Sequence, residues 1–347
     1  MSTPSFPSGA DLRALSPLYG LTGPFATAYV ETGDGAVGAR WAALAELADG
    51  IDAADLATLR PAITRAPAQP YGRTRVVVAR AGTVLLTSGI GTPVGPAIGD
   101  RLVSAPLPDL YTYVARQLEV VPNLVLLAGA DTTTILRVTQ TGHERLWPGD
   151  DDDSVDDEAA GDEAETPERA FARLAITESP DLVVVVGEPL ACRRAVERVS
   201  QSRILPPDVV VRVVEADPSA PASVAAAVEA ALREHVRPAV VQALRAATAK
   251  GAAVGPAAVV EALRMAEADT VVVSADAALP AQCWIGHRPT EFGLRDSDAA
   301  RFGVSPTEPA RFDAALVRAV AATAARLVVV PPDAGAVPGG VAAVLRY

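Results

Sequence analysis

The chain holds a single lysine, Lys250, among 30 basic residues in a total of 347. Every other side-chain cation is therefore an arginine, whose planar guanidinium suits bidentate contact with phosphate or carboxylate, although an arginine-biased coding sequence gives the same count. Cysteine is almost as scarce. Cys192 and Cys283 are the only two, which excludes a disulfide framework. Long hydrophobic runs are missing as well: Leu182 to Val186 and Leu327 to Val330 are strand-length, far short of the roughly 20 residues that a membrane helix needs. Met1 to Leu12 has no basic residues ahead of an apolar core, so no secretory leader is expected and the cytoplasm is the expected location. Common catalytic signatures are also lacking: no G-x-S-x-G, no Walker lysine loop, and no G-x-G-x-x-G after a strand, since Lys250-Gly251 follows a helical stretch. Cys283 and His287 lie four positions apart, but no second Cys and no nearby His completes a zinc set. Neither a metal nor another cofactor is expected.

What is present is unevenly placed. The net charge is −12, yet eleven of the 42 acids fall between Pro148 and Glu168, a stretch with no Lys or Arg. The remainder carries 31 acids against 30 bases and is close to neutral. The acidic run 148–168 fits no calcium-loop spacing and has the composition of a solvated segment. Half of the residues are apolar, enough for ordinary cores, and the length suggests two to three domains.

Hydrophobic periodicity gives an α/β chain. Residues 1–110 suggest a first α/β domain. It has a strand at Phe25 to Val30, helices at Arg40 to Leu47 and Asp52 to Thr64, and a hairpin of Arg75 to Ala79 with Thr83 to Thr87 turning on Arg80-Ala81-Gly82. Gly89 to Pro108 reads as an irregular connection, with Asp109 capping a helix that runs to about Leu118. Residues 111–220 suggest a second domain: strands Leu124 to Ala128 and Thr134 to Val138, the acidic loop, a helix opened by the Thr166-Pro167-Glu168 cap, strand Leu182 to Val186, helix Leu190 to Ser200 and strand Val209 to Val214. That βαβ alternation implies a partly parallel sheet covered on both faces. Residues 221–347 suggest a third. An Ala-rich helix, Ser223 to Lys250, is expected to kink or break at Pro238. Helix Pro256 to Ala266, strand Thr270 to Ser274, helix Arg311 to Ala324, strand Leu327 to Val330 and a last strand, Val341 to Leu345, behind the Gly339-Gly340 turn complete it.

Three elements of the last part carry a family resemblance: Gly251-Ala252-Ala253-Val254-Gly255 opening a helix with Val260-Glu261-Ala262-Leu263, the step Ala266-Glu267-Ala268-Asp269-Thr270 into Val271-Val272-Val273, and Gly339-Gly340-Val341-Ala342-Ala343-Val344-Leu345-Arg346-Tyr347. In order and separation they resemble the C-terminal domain of the archaeo-eukaryotic class I release factor and Pelota superfamily. The middle part is similar to that family's RNase H-like central domain. The first, with Gly23-Pro24-Phe25-Ala26-Thr27-Ala28-Tyr29 and Arg40-Trp41, is similar to the N-terminal domain of the bacterial branch, which holds Balon-like ribosome hibernation factors and peptidyl-tRNA hydrolase-like proteins.

The resemblance implies three α/β domains, a monomer, binding at the ribosomal A site, and in some members delivery by elongation factor Tu. Catalytic members use a Gly-Gly-Gln or Gly-x-x-Gln loop in the central domain. Here the equivalent region, Thr139 to Arg173, holds Gln140 without a preceding Gly-Gly and a loop rich in carboxylates, which rRNA phosphates would repel. The expected function is thus non-catalytic ribosome association in hibernation or stalled-ribosome protection. The alternatives are a peptidyl-tRNA hydrolase, with Gln140 as candidate, and a scaffold that docks a basic protein through the acidic loop. Candidate RNA contacts are His143 and Arg145 before the loop, Arg169 and Arg173 after it on one helix face, and Arg193, Arg194, Arg198 and Arg203. Each of these groups also suits an ordinary solvated surface.

Overall fold

The computed structural model describes residues 12–21, 23–32, 36–65, 74–90, 98–117, 121–129, 132–139, 142–147, 166–201, 205–206, 209–302 and 309–347. The chain is α/β throughout and divides into two compact units, one of residues 1–118 with 237–347 and one of residues 119–236. None of the described helices is long and apolar enough to cross a membrane.

The first unit begins with a 3-10 helix, Leu12–Gly20, and strand β1, Phe25–Glu31. Helices α1, Val37–Glu46, and α2, Ala53–Thr64, follow, the second capped by Asp52, whose carboxylate accepts from the Ala54 amide at 2.7 Å. Strands β2, Thr74–Arg80, and β3, Thr83–Ile90, form the expected hairpin. Its two turn residues, Ala81 and Gly82, have φ of 49° and 72°, the left-handed pair that matches strand twist. Strand β4, Arg101–Ala105, pairs antiparallel with β1 and completes a sheet of order β3-β2-β1-β4. This corrects the irregular connection expected over 89–108: five residues between Gly- and Pro-rich flanks carry too little pattern of their own, and pairing with β1 makes the strand. Alternation divides the sheet. Ala26, Ala28, Val30, Val77 and Ala79 pack on Trp41 of α1 and Leu59 and Ile63 of α2, whereas Phe25, Tyr29, Val76 and Val78 face the opposite way. Helix α3, Tyr111–Gln117, closes this segment.

The second unit contains β5, Asn123–Ala128; β6, Thr133–Thr139; β7, Gly142–Trp147; α4, Pro167–Glu178; β8, Leu182–Gly187; α5, Pro189–Gln201; β9, Val210–Glu215; and the start of α6, Pro221–Ala247. Sheet order is β7-β6-β5-β8-β9, with β5, β8 and β9 parallel and β6 antiparallel to both of its neighbours, β5 and β7, the RNase H-like arrangement. Successive residues of β8 serve two cores. Val183 and Val185 meet Phe171 and Leu174 of α4 and Cys192 and Val199 of α5, while Leu182, Val184 and Val186 meet Val224, Val228 and Leu232 of α6. Thr166 caps α4 as expected, accepting from the Arg169 amide at 3.4 Å, with Pro167 in the first helical turn. Helix α6 runs through Pro238 without breaking. A proline deletes one main-chain hydrogen bond, and burial of Val236 and Val240 beside it holds the helix together.

The second segment of the first unit contains β10, Ala253–Val254; α7, Pro256–Arg264; β11, Ala268–Ser274; β12, Gln282–Ile285; β13, Phe292–Gly293; α8, Asp296–Arg301; β14, Ala310–Arg311; α9, Phe312–Thr323; β15, Arg326–Val330; and β16, Val341–Leu345. The main sheet has the order β10-β16-β11-β15, so the strand behind the Gly-Gly turn lies inside the sheet, between β10 and β11, as its apolar sequence predicts. Gly255 and Gly339, from the two glycine motifs, meet at one corner. The Gly255 amide donates to the Val341 carbonyl at 2.8 Å, and a Cβ on Gly339 would lie 2.9 Å from the Gly255 Cα. With φ of +66° at Gly339, both the backbone and the space require glycine there. One continuous core joins the unit's two segments: Phe25, Tyr29, Val76, Leu110 and Val114 share it with Val259, Leu263, Phe312, Leu316 and Val320.

Candidate nucleic-acid interface

Helices α4 and α5 cover the same face of the second unit's sheet, and five of the candidate arginines stand exposed on them: Arg169 and Arg173 on α4, and Arg193, Arg194 and Arg198 on α5. The spacing responsible is simple. Cys192, Val196 and Val199 point α5 inward, which leaves 193, 194 and 198 facing solvent. Arg194 and Arg198, one turn apart, line a cavity of about 640 Å³ at the carboxyl end of β5. Its floor is apolar, from Leu126, Ala128, Phe171 and Val199; Trp147, the last residue of β7, forms one wall and Thr132 and Thr133 supply hydroxyls at another. Clefts beyond the carboxyl ends of strands are the usual ligand sites of open α/β sheets. The turn that presents the threonines is held by the Gly129 amide donating to the Thr132 carbonyl at 2.8 Å, and a Cβ at Gly129 would come within 2.5 Å of Thr132 Oγ1.

The cavity is cationic on balance. Glu168, in the first turn of α4, pairs with Arg198 at 3.1 Å, an exposed contact of roughly 0–1 kcal/mol. Arg194 has no partner among the described residues. Arg169 and Arg173 are each engaged with a neighbouring group. Among the lining residues there is one carboxylate and neither histidine nor cysteine, so the walls offer anion binding and apolar contact rather than a nucleophile with its base. Beneath the rim, burial raises the Cys192 thiol pKa, with the Glu215 charge adding to the effect.

The structure thus brings together two of the sequence candidates, Arg194 and Arg198, at the cavity, and leaves Arg169, Arg173 and Arg193 on the same helical layer outside it. His143 and Arg145 lie on strand β7, opposite Val138 and Leu136, rather than in a loop; Arg145 is exposed, and the His143 side chain is outside the described residues. Gln140, Arg203 and positions 148–165 of the acidic run also lie outside them. Trp147, Thr132, Thr133 and Glu168 are not among the sequence candidates. The signal for Trp147 and Glu168 was position alone: a tryptophan immediately before the acidic run and a glutamate at its end.

A second polar constellation lies inside the first unit. Asp109 does not cap α3; its side chain is 1% exposed and reaches Arg101 at 3.4 Å and Arg311 at 4.0 Å. Its backbone sets this direction, because the Asp109 amide donates to Thr27 Oγ1 at 3.1 Å and the Tyr29 hydroxyl donates to the Asp109 carbonyl at 2.6 Å. Both Asp109 carboxylate oxygens lack a hydrogen-bond partner among the described residues. Burial raises the carboxyl pKa, and the opposing pull of Arg101 and Arg311 is the smaller effect. The Arg101 guanidinium also sits 4.1 Å from the centre of the Tyr29 ring. Nearby, burial pushes the Cys283 thiol up to about 12. Among the described residues no group of three or more His, Cys, Asp or Glu side chains is arranged to hold a metal.

No protein-family model matches the chain. No curated protein matches it either. Among solved structures, the archaeal translation termination factor aligns at 15% identity, TM-score 0.24, over 97% of this chain and 96% of its own. Archaeoglobus fulgidus Pelota aligns at 14% identity, TM-score 0.32, over 79% of each chain. Saccharomyces cerevisiae Dom34, a translation termination-like factor, aligns at 9% identity, TM-score 0.35, over 98% of this chain and 94% of its own.

Proposed function

We propose that this chain is a cytoplasmic, release-factor-like protein that associates with the ribosome near the A site as a monomer, without hydrolysing peptidyl-tRNA, and acts in hibernation or stalled-ribosome protection. The observation that carries the reading is the arginine layer on α4 and α5 around the cavity at the end of β5: five guanidiniums on one face of an RNase H-like unit, two of them, Arg193 and Arg194, without a partner among the described residues. Such a layer suits an RNA backbone, where neutralised phosphates supply affinity. The glycine motifs at 251–255 and 339–340, which carry the family resemblance, support it by meeting at one corner of the same sheet. The absence of Gly-Gly-Gln from 139–173 removes the family's hydrolytic device. Elongation factor Tu with GTP is the delivery partner that this reading implies.

Co-sedimentation with intact ribosomes over a salt series tests the proposal. Near-stoichiometric pelleting at low salt is expected, released as salt rises. The variant R193E/R194E/R198E should bind more weakly, with a log–log salt slope shallower by roughly 2–3, about one unit per lost phosphate contact. A protein that stays in the supernatant at low salt, with elongation factor Tu and GTP supplied, overturns it. Release of labelled peptide from tRNA, abolished by Gln140→Ala, would transfer the function to the hydrolase class. A salt-sensitive pull-down of a basic protein, lost on deleting 149–165, would transfer it to a scaffold.

A further inference from the structure

We propose that the cavity of the second unit receives one unstacked nucleotide, with its base against Trp147 and its phosphate on Arg194. The inference rests on the ribosome reading only for the source of that nucleotide, an RNA strand; the chemistry of the walls is independent of it.

Three features converge. The volume, about 640 Å³, lies within the range of roughly 300–1,000 Å³ that encloses small ligands. The floor is apolar and one wall is an indole, a combination that suits a flat aromatic ligand better than a sugar or a free inorganic anion. Trp147 is only partly buried and packs against the core beneath with part of its surface, so it is both anchored and accessible from the cavity. The polar groups then sort by role. Arg194, unpartnered among the described residues, is available to an anion, whereas Arg198 is already held by Glu168 at 3.1 Å. The hydroxyls of Thr132 and Thr133 are uncharged donors and acceptors that a ribose or a base edge can use. A phosphate alone would leave the indole and floor unused, and a neutral aromatic compound would leave Arg194 unused. A nucleotide uses both.

The test is a fluorescence titration of the full-length protein, in the absence of ribosomes, with adenosine 5′-monophosphate, adenosine, ribose 5-phosphate and a five-nucleotide RNA. The nucleotide or the RNA should bind at least about tenfold more tightly than either adenosine or ribose 5-phosphate, because each fragment keeps one of the two contacts. Trp147→Ala should weaken binding by roughly 5- to 150-fold, the range seen for one base stacked on one aromatic. Trp147→Phe, which keeps an aromatic wall, should retain most of the affinity and guards against simple misfolding. Arg194→Gln, on an exposed position, should weaken the phosphate-bearing ligands and leave adenosine unchanged.

Tighter binding of the RNA than of the mononucleotide assigns an RNA strand as source; equal or tighter binding of the mononucleotide assigns a free nucleotide, and both support the site. Equal affinity for ribose 5-phosphate and the nucleotide, or an unchanged affinity in Trp147→Ala, overturns the inference. The two proposals fail separately. Ribosome pelleting without nucleotide binding sinks the cavity inference alone, and nucleotide binding without pelleting sinks the ribosome reading alone.

Discussion

Asp109 is the residue where burial and charge are most opposed. Its carboxylate is enclosed beside two guanidiniums yet makes no hydrogen bond among the described residues, and burial outweighs the guanidiniums in setting its affinity for protons. The folded chain therefore holds a proton on Asp109 at pH values where the unfolded chain, with a carboxyl near pH 3.9, has released it. The stability contributed by the neutral carboxyl is complete below that value and is lost as pH rises through the folded one. Asn is neutral at every pH. The stability of the wild type relative to Asp109→Asn, measured by urea unfolding, should accordingly improve as pH falls from 7 towards 4. A difference that stays flat over this range would show that Asp109 titrates as an ordinary surface carboxyl.

At the scale of elements, local chemistry explains what succeeded. The Arg80-Ala81-Gly82 turn, the Thr166 cap, and the buried strand behind Gly339-Gly340 were legible because each is decided by residues within four or five positions of itself. Strands β4 and β7 were not, since each is short and is made by pairing with a neighbour. The site divides in the same way. Arg194 and Arg198 follow from helical spacing, whereas Trp147 and the threonines join them only through the sheet order β7-β6-β5. At Pro238 the break that a proline permits is overridden by packing on either side of it. The proline keeps its local cost. Pro238→Ala, restoring one main-chain hydrogen bond in α6, should raise stability by about 1–3 kcal/mol in thermal unfolding, below the full proline penalty because the unfolded chain gains freedom too. A fall in melting temperature would mean that the ring contributes packing that alanine cannot replace.

For the whole molecule the decisive fact is that one unit is built from two separated stretches, 1–118 and 237–347, while the other is continuous. The continuous unit owns two complete cores and should, as residues 119–236 alone, unfold in a single cooperative transition followed by circular dichroism. Residues 1–118 alone should bind a hydrophobic dye and lack such a transition until 237–347 is supplied, because the outer face of their sheet finds its cover in α7 and α9. A cooperative 1–118 fragment would contradict that dependence. The same connectivity sets a timetable during synthesis. The face bearing Phe25, Tyr29, Val76 and Val78 waits for partners that start at Val259, and at roughly 5–20 residues per second the stretch between Val78 and Val259 takes the translating ribosome roughly 9 to 36 s. Through that interval a nascent chain displays bare apolar surface beside a unit that has already closed. The cell must either shield it or risk two growing chains meeting there.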